Sequence, residues 1–269
     1  MPFSTRVYHR TGGTFVLFTT YLFAHLMLQL IYAGLLIHYF IEKKLIKEFT
    51  IRAIGRSREP LEATLVLAGV IFQTQKNMSC HSDQAFVPFP LMSSLGATPA
   101  SILRMGGCCS GITRLTIVSL DALGFKAGSI TVCSASGEAR HCLLEVSLPQ
   151  HNLLIDPTYG FYYVDEIGGA IELSDLQSGT RPSFVSLPGS NKEGYPSSSY
   201  YEFDYRKTKT ANWTHSRLRQ AVYRVLFFMT GGAIDRLKQP PVLEWPQIVL
   251  ATSITVLLLS MNLALLLFE

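Results

Sequence analysis

Hydrophobic positions run unbroken in two places along the chain and are broken up by polar residues between them. Residues 14–41, TFVLFTTYLFAHLMLQLIYAGLLIHYFI, and residues 247–268, QIVLATSITVLLLSMNLALLLF, contain no Asp, Glu, Lys or Arg. About 20 apolar residues wound as a helix cross the hydrocarbon core of a bilayer, so each run predicts a membrane-spanning helix. A cleaved signal peptide fits the first run poorly. Its apolar region would extend about 7–15 residues and end in small residues, whereas this one extends 28 and ends in FIEKK. Pro246 suits the first turn of the second helix, and Glu244 and Trp245 stand where an interfacial anchor belongs. His25, Gln29 and His38 interrupt the first run; hydrogen bonding between helices or a place at the interface is the expected use of such residues.

Between the runs the period changes. Leu45, Ile46, Phe49 and Ile54 fall near one helical face and predict that the first helix continues along the membrane surface. Helices are expected over 61–76, after Pro99, and from Cys109 to a stop at Gly124. Three stretches then read as strands, 125–133 (FKAGSITVC), 140–148 (RHCLLEVSL) and 152–156 (NLLID), separated by the turn signals SASGE and PQH. Together they predict an antiparallel meander. Residues 175–200, rich in Ser, Pro and Gly, predict a loop, anchored by Tyr195, Tyr200, Tyr201, Phe203 and Tyr205. Residues 213–230 mix bases with large apolar side chains and predict an interfacial amphipathic helix. The resulting organisation is a tail over 1–13, a transmembrane helix over 14–41, a basic membrane-proximal helix over 42–58, a folded domain over 60–210, an amphipathic segment over 211–241 and a transmembrane helix over 242–269.

Charge adds an orientation. Arg6 and Arg10 precede the first helix, and Lys43, Lys44, Lys47, Arg52, Arg56 and Arg58 follow it. Arg224, Arg236 and Lys238 precede the second helix, with no base after it. The positive-inside bias then predicts a cytoplasmic domain with both termini outside. The net charge of +4 is explained by these membrane-flanking bases. No zinc-finger spacing or aromatic-basic RNA motif calls for a nucleic-acid partner. The five cysteines, Cys80, Cys108, Cys109, Cys133 and Cys142, all lie between the helices, and an odd number there does not read as a disulfide framework.

One constellation carries chemistry. In RMGGCCSG (104–111), two glycines that let the backbone bend precede a cysteine pair at the start of a predicted helix. A helix N-terminus favours a thiolate, because unpaired N–H groups and the helix dipole stabilise the anion. A nucleophilic thiolate also needs a base and a group that orients it. His141 opens the second predicted strand and Asp156 closes the third, so an antiparallel meander brings the two ends together.

The stretches GCCSGITRLTIVSLDALGF, HCLLEVSL and LLIDPTYG resemble, in this order, the three signatures of the transglutaminase-like superfamily. The separations fit as well, 32 residues from Cys109 to His141 and 15 from His141 to Asp156. The resemblance covers about residues 90–165. Cys109 stands two positions after Gly107 and fifteen before Gly124, which is the arrangement of the family's cysteine, so the resemblance selects Cys109 over Cys108. It implies an α+β, papain-like core with catalytic residues Cys109, His141 and Asp156, and acyl transfer at an amide or peptide bond through a thioester. No metal or organic cofactor is implied. The family pattern is not complete: Gly111 stands where an acidic residue is common, Cys142 and Leu143 where an aromatic follows the histidine, and Phe125 where Ile is usual.

Other residues have plainer expectations. Cys133 and Cys142 are expected as buried small apolar residues, and His151 as an exposed turn residue. Cys80, His81 and Asp83 lack the further ligands a metal site needs. Gln73, Gln75 and Gln84 are weak candidates for an oxyanion donor; the backbone N–H of Cys109 is a better one. A membrane-anchored hydrolase or acyltransferase is therefore expected, with the bilayer and a membrane-associated protein or peptide as its partners. A non-catalytic scaffold subunit with the same fold is the alternative, and it has less need of an intact Cys, His and Asp.

Overall fold

The computed structural model describes residues 8–57, 59–78, 97–190, 203–210, 217–235 and 237–268. The chain divides into two compact units, residues 1–41 with 247–269, and residues 42–246.

The first unit is made by helix α1, Tyr8–Ile54, which continues into the second unit, and by the last helix, Pro246–Phe268. Both are long and apolar enough to cross a membrane. Large apolar side chains stay open along them: Phe23, Leu30, Ile37 and Phe40 on α1, and Val256, Leu259 and Leu266 on the last helix. Polar residues of the unit meet each other. Tyr21 donates to Asn262 Oδ1 at 2.6 Å, and Gln247 and His38 share a hydrogen bond at 3.0 Å. His25 packs its ring against Tyr21, whereas Gln29 is exposed. Residues 42–54 extend α1 without a break, and Gly55, at φ +57°, ends it.

The second unit is a mixed helix and antiparallel-sheet fold. Helix α2, Pro60–Gln75, begins on a proline whose missing N–H costs nothing at that position. Helix α3, Pro99–Met105, does the same, and Thr98 caps it by accepting from Ser101 N–H at 3.2 Å. Helix α4, Cys109–Asp121, buries Ile112, Leu115, Val118 and Leu120 and packs on the first two strands. Gly124, at φ +83°, turns the chain out of it.

Strands β1, Lys126–Cys133, β2, Ala139–Ser147, and β3, Asn152–Asp156, form the expected meander, with ends within a residue of the expectation. The sheet is larger than that. β4, Phe161–Val164, and β5, Ser183–Ser186, extend it, and β6, Asp204–Lys209, returns to pair with β1. The order is β5-β4-β3-β2-β1-β6, antiparallel throughout. The expected loop over 175–200 is corrected in its first part. A short helix α5, Leu173–Ser178, and β5 lie there, and residues 191–200 are outside the described residues. A reciprocal capping box between Glu172 and Asp175 starts α5, a local signal that a polar composition masks.

One sheet face buries Ile130, Val132, Leu143, Leu154, Phe161, Tyr163 and Phe184 in a single cluster. Phe161 and Tyr163 meet Phe184 edge-on, with centroids 4.8 and 5.2 Å apart, the geometry that ring quadrupoles favour. The amphipathic helix is present as α6, Arg217–Thr230. The last helix, Pro246–Phe268, is α7.

Candidate functional site

Helix α4, which opens on Cys109, is delivered by a short, tightly held run. Glu42, buried on α1, accepts from Thr98 Oγ1 at 2.6 Å and so fixes the cap of α3. α3 ends on Gly106, at φ +93°, a backbone state that L side chains rarely adopt. Cys108 is extended at the N-cap, and Cys109 is the first residue of α4, half-buried. Further along α4, Arg114 bonds Glu244 Oε2 at 3.2 Å and the Ala97 carbonyl at 2.9 Å, both nearly buried, which locks the helix to the segment before α7.

His141 lies where β1 and β2 fall out of step: Val132 faces His141 and Cys133 faces Ala139, so Arg140 is the extra residue. Such bulges add twist and re-aim side chains. The paired register of β2 with β3 ends at Leu144 opposite Ile155; one more step sets Asp156 opposite Leu143. Asp156 is thus the diagonal neighbour of His141 on one face. The two meet at 2.7 Å between Nε2 and Asp156 Oδ2, with His141 7% and Asp156 0% exposed. The other carboxylate oxygen accepts from Thr158 N–H at 2.9 Å and Tyr159 N–H at 3.1 Å. This turn depends on Gly160. Its φ is +76°, and a Cβ there would lie 2.8 Å from the Phe72 ring.

With Nε2 on Asp156, Nδ1 is the nitrogen left for Cys109, which lies near enough for the two groups to shift each other's titration. The structure therefore brings Cys109, His141 and Asp156 together. The Cys109 thiol is lowered to about 4: a hydrogen bond from the Cys142 thiol is the largest cause, burial opposes it, and the His141 hydrogen bond and charge and the Cys142 backbone N–H add to the lowering. Burial works to lower the pKa of His141, but the Asp156 charge and hydrogen bond, with Cys109, outweigh it and raise it to about 10. Both shifts favour the thiolate–imidazolium form of the pair. Tyr159 stands 5.3 Å from the His141 ring, and Phe203 stacks over that ring at 6.3 Å. Tyr159 titrates above its ordinary range, through burial and the negative charges of Asp156 and Cys109.

Several expectations change here. Cys142 is buried, as expected (3% exposed), with its sulfur 4.0 Å from Thr131 Oγ1. Cys133 is buried and its thiol is pushed up by burial. Cys108 is disulfide-bonded, against the expectation of unpaired thiols, while Cys109, Cys133 and Cys142 are free; a bond between Cys108 and Cys109 is therefore absent. Gln73 donates to the Gly189 carbonyl, and Gln75 to the Leu103 carbonyl of α3 at 3.5 Å, so the amide N–H groups of both already have acceptors. Gln84, Cys80, His81 and Asp83 lie outside the described residues, as do Tyr195, Tyr200 and Tyr201. Phe203 and Tyr205 pack against the aromatic core, as anchors should. His151 is half-buried, not exposed, because it sits at the β2–β3 turn, where its carbonyl accepts from Leu148. A cavity of about 900 Å³ lies elsewhere, beside Glu145, Arg206, Lys209, Asp235 and Lys238, and none of Cys109, His141 and Asp156 lines it.

No family model, curated protein or solved structure matches the chain.

Proposed function

We propose that this protein is a membrane-anchored cysteine hydrolase or acyltransferase with a papain-like, transglutaminase-like core, acting on an amide or peptide bond. The observation that carries this reading is the chain of contacts from half-buried Cys109 at the N-terminus of α4, through His141, to Asp156 at 2.7 Å. The Cys109 thiolate attacks the carbonyl carbon, forming a C–S bond, and the developing oxyanion takes the Cys109 backbone N–H. The imidazolium of His141 gives its proton to the leaving amine as the C–N bond breaks, which leaves a thioester. Neutral His141 then takes a proton from water, whose oxygen attacks the thioester and releases acid and thiolate; an amine in place of water gives transfer. Asp156 holds the imidazole in the tautomer this requires. Hydrolysis is the first choice, since no amine site is legible.

The bilayer is the proposed partner of α1 and α7, and a membrane-associated protein or peptide the proposed substrate. Exposed Val225, Phe228 and Met229 on α6 support an interfacial seat for that helix. The flanking bases favour a cytoplasmic domain, and the disulfide at Cys108 favours an oxidising compartment. A protease-sensitive tag fused after Glu269 decides between them: removal by external protease from intact cells means a cytoplasmic domain, and protection means the reverse.

The test of the chemistry is the pH dependence of iodoacetamide labelling at Cys109 in membranes. Labelling is expected to persist well below about pH 8, to vanish in Cys109→Ala and to weaken in His141→Ala. Labelling only near a free thiol's pKa of about 8.5, indifferent to His141, overturns the enzyme reading in favour of a scaffold.

A further inference from the structure

We propose that the cavity beside β6 is a binding site for a phosphate-bearing molecule, separate from Cys109 and its partners. Its chemistry starts in the sequence of β6, DYRKTK, with three bases in six residues. β6 is an edge strand, and bases there guard the edge against further pairing. The register of β6 gives these bases a second use. It meets β1 at Cys133 with Asp204 and at Thr131 with Lys209. Val132 alone separates those points on β1, whereas residues 205–208 separate them on β6, so β6 bulges and re-aims its side chains. Among the described residues the pairing goes no further. Gly128 and Ser129 of β1 border a cavity of about 900 Å³ instead, with Arg206, Lys207 and Lys209 of β6 around it.

The walls of this cavity are tied to one another. Lys238 runs across β1 at Gly128, where a Cβ would lie 3.4 Å from its stem. Its Nζ meets Glu145, the residue opposite Gly128 on β2, at 2.6 Å. Thr210 N–H donates to the Asp235 carbonyl at 3.1 Å, and Gln177 of α5 donates to Thr208 Oγ1 at 2.9 Å. A site held in this way needs little ordering when a ligand enters.

The charge is uneven. Four bases, Arg206, Lys207, Lys209 and Lys238, line the cavity with two acids, Glu145 and Asp235. Lys238 is balanced by Glu145, and Lys207, which donates to the Ala135 carbonyl, stands 3.9 Å from Asp204. Asp235 accepts from the Tyr223 O–H at 3.1 Å, and Lys209 lies over the Tyr223 ring at 5.1 Å. Among the described residues, Arg206 and Lys209 have no carboxylate within ion-pair distance. An excess of two positive charges on a concave wall draws an anion of matching charge. A guanidinium with ammonium groups beside it is a donor set for a phosphate monoester. The volume is that of a small-molecule site and exceeds what inorganic phosphate fills, so the phosphate is expected on a larger polar body. Lipid headgroups and soluble phosphate esters both offer such a group.

Native mass spectrometry of the full-length protein in detergent, titrated with phosphatidic acid or with glycerol 1-phosphate, tests the site and separates the two sources. Phosphatidylcholine, whose phosphate is a diester, is the control lipid. A single saturable adduct is expected. Formed with phosphatidic acid alone, it assigns a lipid headgroup; formed with glycerol 1-phosphate as well, it assigns the phosphate monoester itself. The Arg206→Gln/Lys209→Gln double variant should weaken it about tenfold or more, because two charge-assisted contacts are lost. Arg181→Gln, at an exposed base outside the cavity, should leave it unchanged. Arg206→Gln alone, at an exposed side chain, stands in with a loss of about threefold if the double variant does not accumulate. No adduct with either probe, an equal adduct with phosphatidylcholine, or an adduct that these variants keep overturns the proposal.

Discussion

Each unit holds a histidine against one polar partner, and the partners differ. In the first unit His38 meets the amide of Gln247 at 3.0 Å, and Tyr21 meets the amide of Asn262 at 2.6 Å. In the second, His141 meets the Asp156 carboxylate at 2.7 Å, and Arg114 meets Glu244 at 3.2 Å. The difference follows from what surrounds each pair. On helices whose outer side chains are open and apolar, a charge has nothing to balance it and is expensive, so dipoles do the joining. Around α4 the charges are buried but met from several sides: Asp156 by two backbone N–H groups and an imidazole, Glu244 by a guanidinium. A carboxylate partner turns a histidine from a spacer into a base that keeps its proton.

The comparison can be broken at its strongest point first. Glu244→Ala leaves Arg114 charged and nearly buried without its ion-pair partner, and should cost about 3–5 kcal/mol, read as a fall in the denaturant midpoint of the second unit. Next is His141. His141→Ala removes a group that lowers the Cys109 thiol, so the pH midpoint of Cys109 alkylation should rise toward the ordinary thiol value of about 8.5. Replacing the carboxylate partner by an amide makes the site resemble the first unit. Asp156→Asn removes the charge that raises His141, so the imidazole should titrate well below its present value of about 10. The thiolate–imidazolium state exists above the pKa of Cys109 and below that of His141, so its alkaline limit should move down, as followed by NMR of the His141 ring. Smallest is the Gln247–His38 pair. Gln247→Leu should cost about 0.6 kcal/mol, the typical worth of a hydrogen bond between membrane helices, and leave Cys109 labelling unchanged.

How much of this could be read in advance depends on whether the signal is local. The apolar runs, the Pro-initiated helices and the Gly124 stop each depend on neighbours in sequence, and α2 falls within a residue of its expected bounds. Strands β1 to β3 were legible for the same reason: alternation between turn residues is a short-range pattern. β4 and β6 were not, because FYYV and DYRKTK become strands only by pairing with β3, β5 and β1. Cys109, His141 and Asp156 were found through motif order and spacing. Their distances were not, since these depend on a bulge at Arg140 and a register that only the paired sheet has.

By itself, then, the sequence determined where two long apolar helices lie, where the three-strand meander runs, and which cysteine heads a helix. Each is a consequence of backbone periodicity, capping and turn chemistry acting over a few residues. It took the folded chain to set Asp156 2.7 Å from His141 and to stack Phe203 on its ring. It alone also decided that Arg114 is paired across 130 residues with Glu244. These contacts join residues distant in the chain, and their chemistry depends on burial and direction, which no single segment of sequence contains.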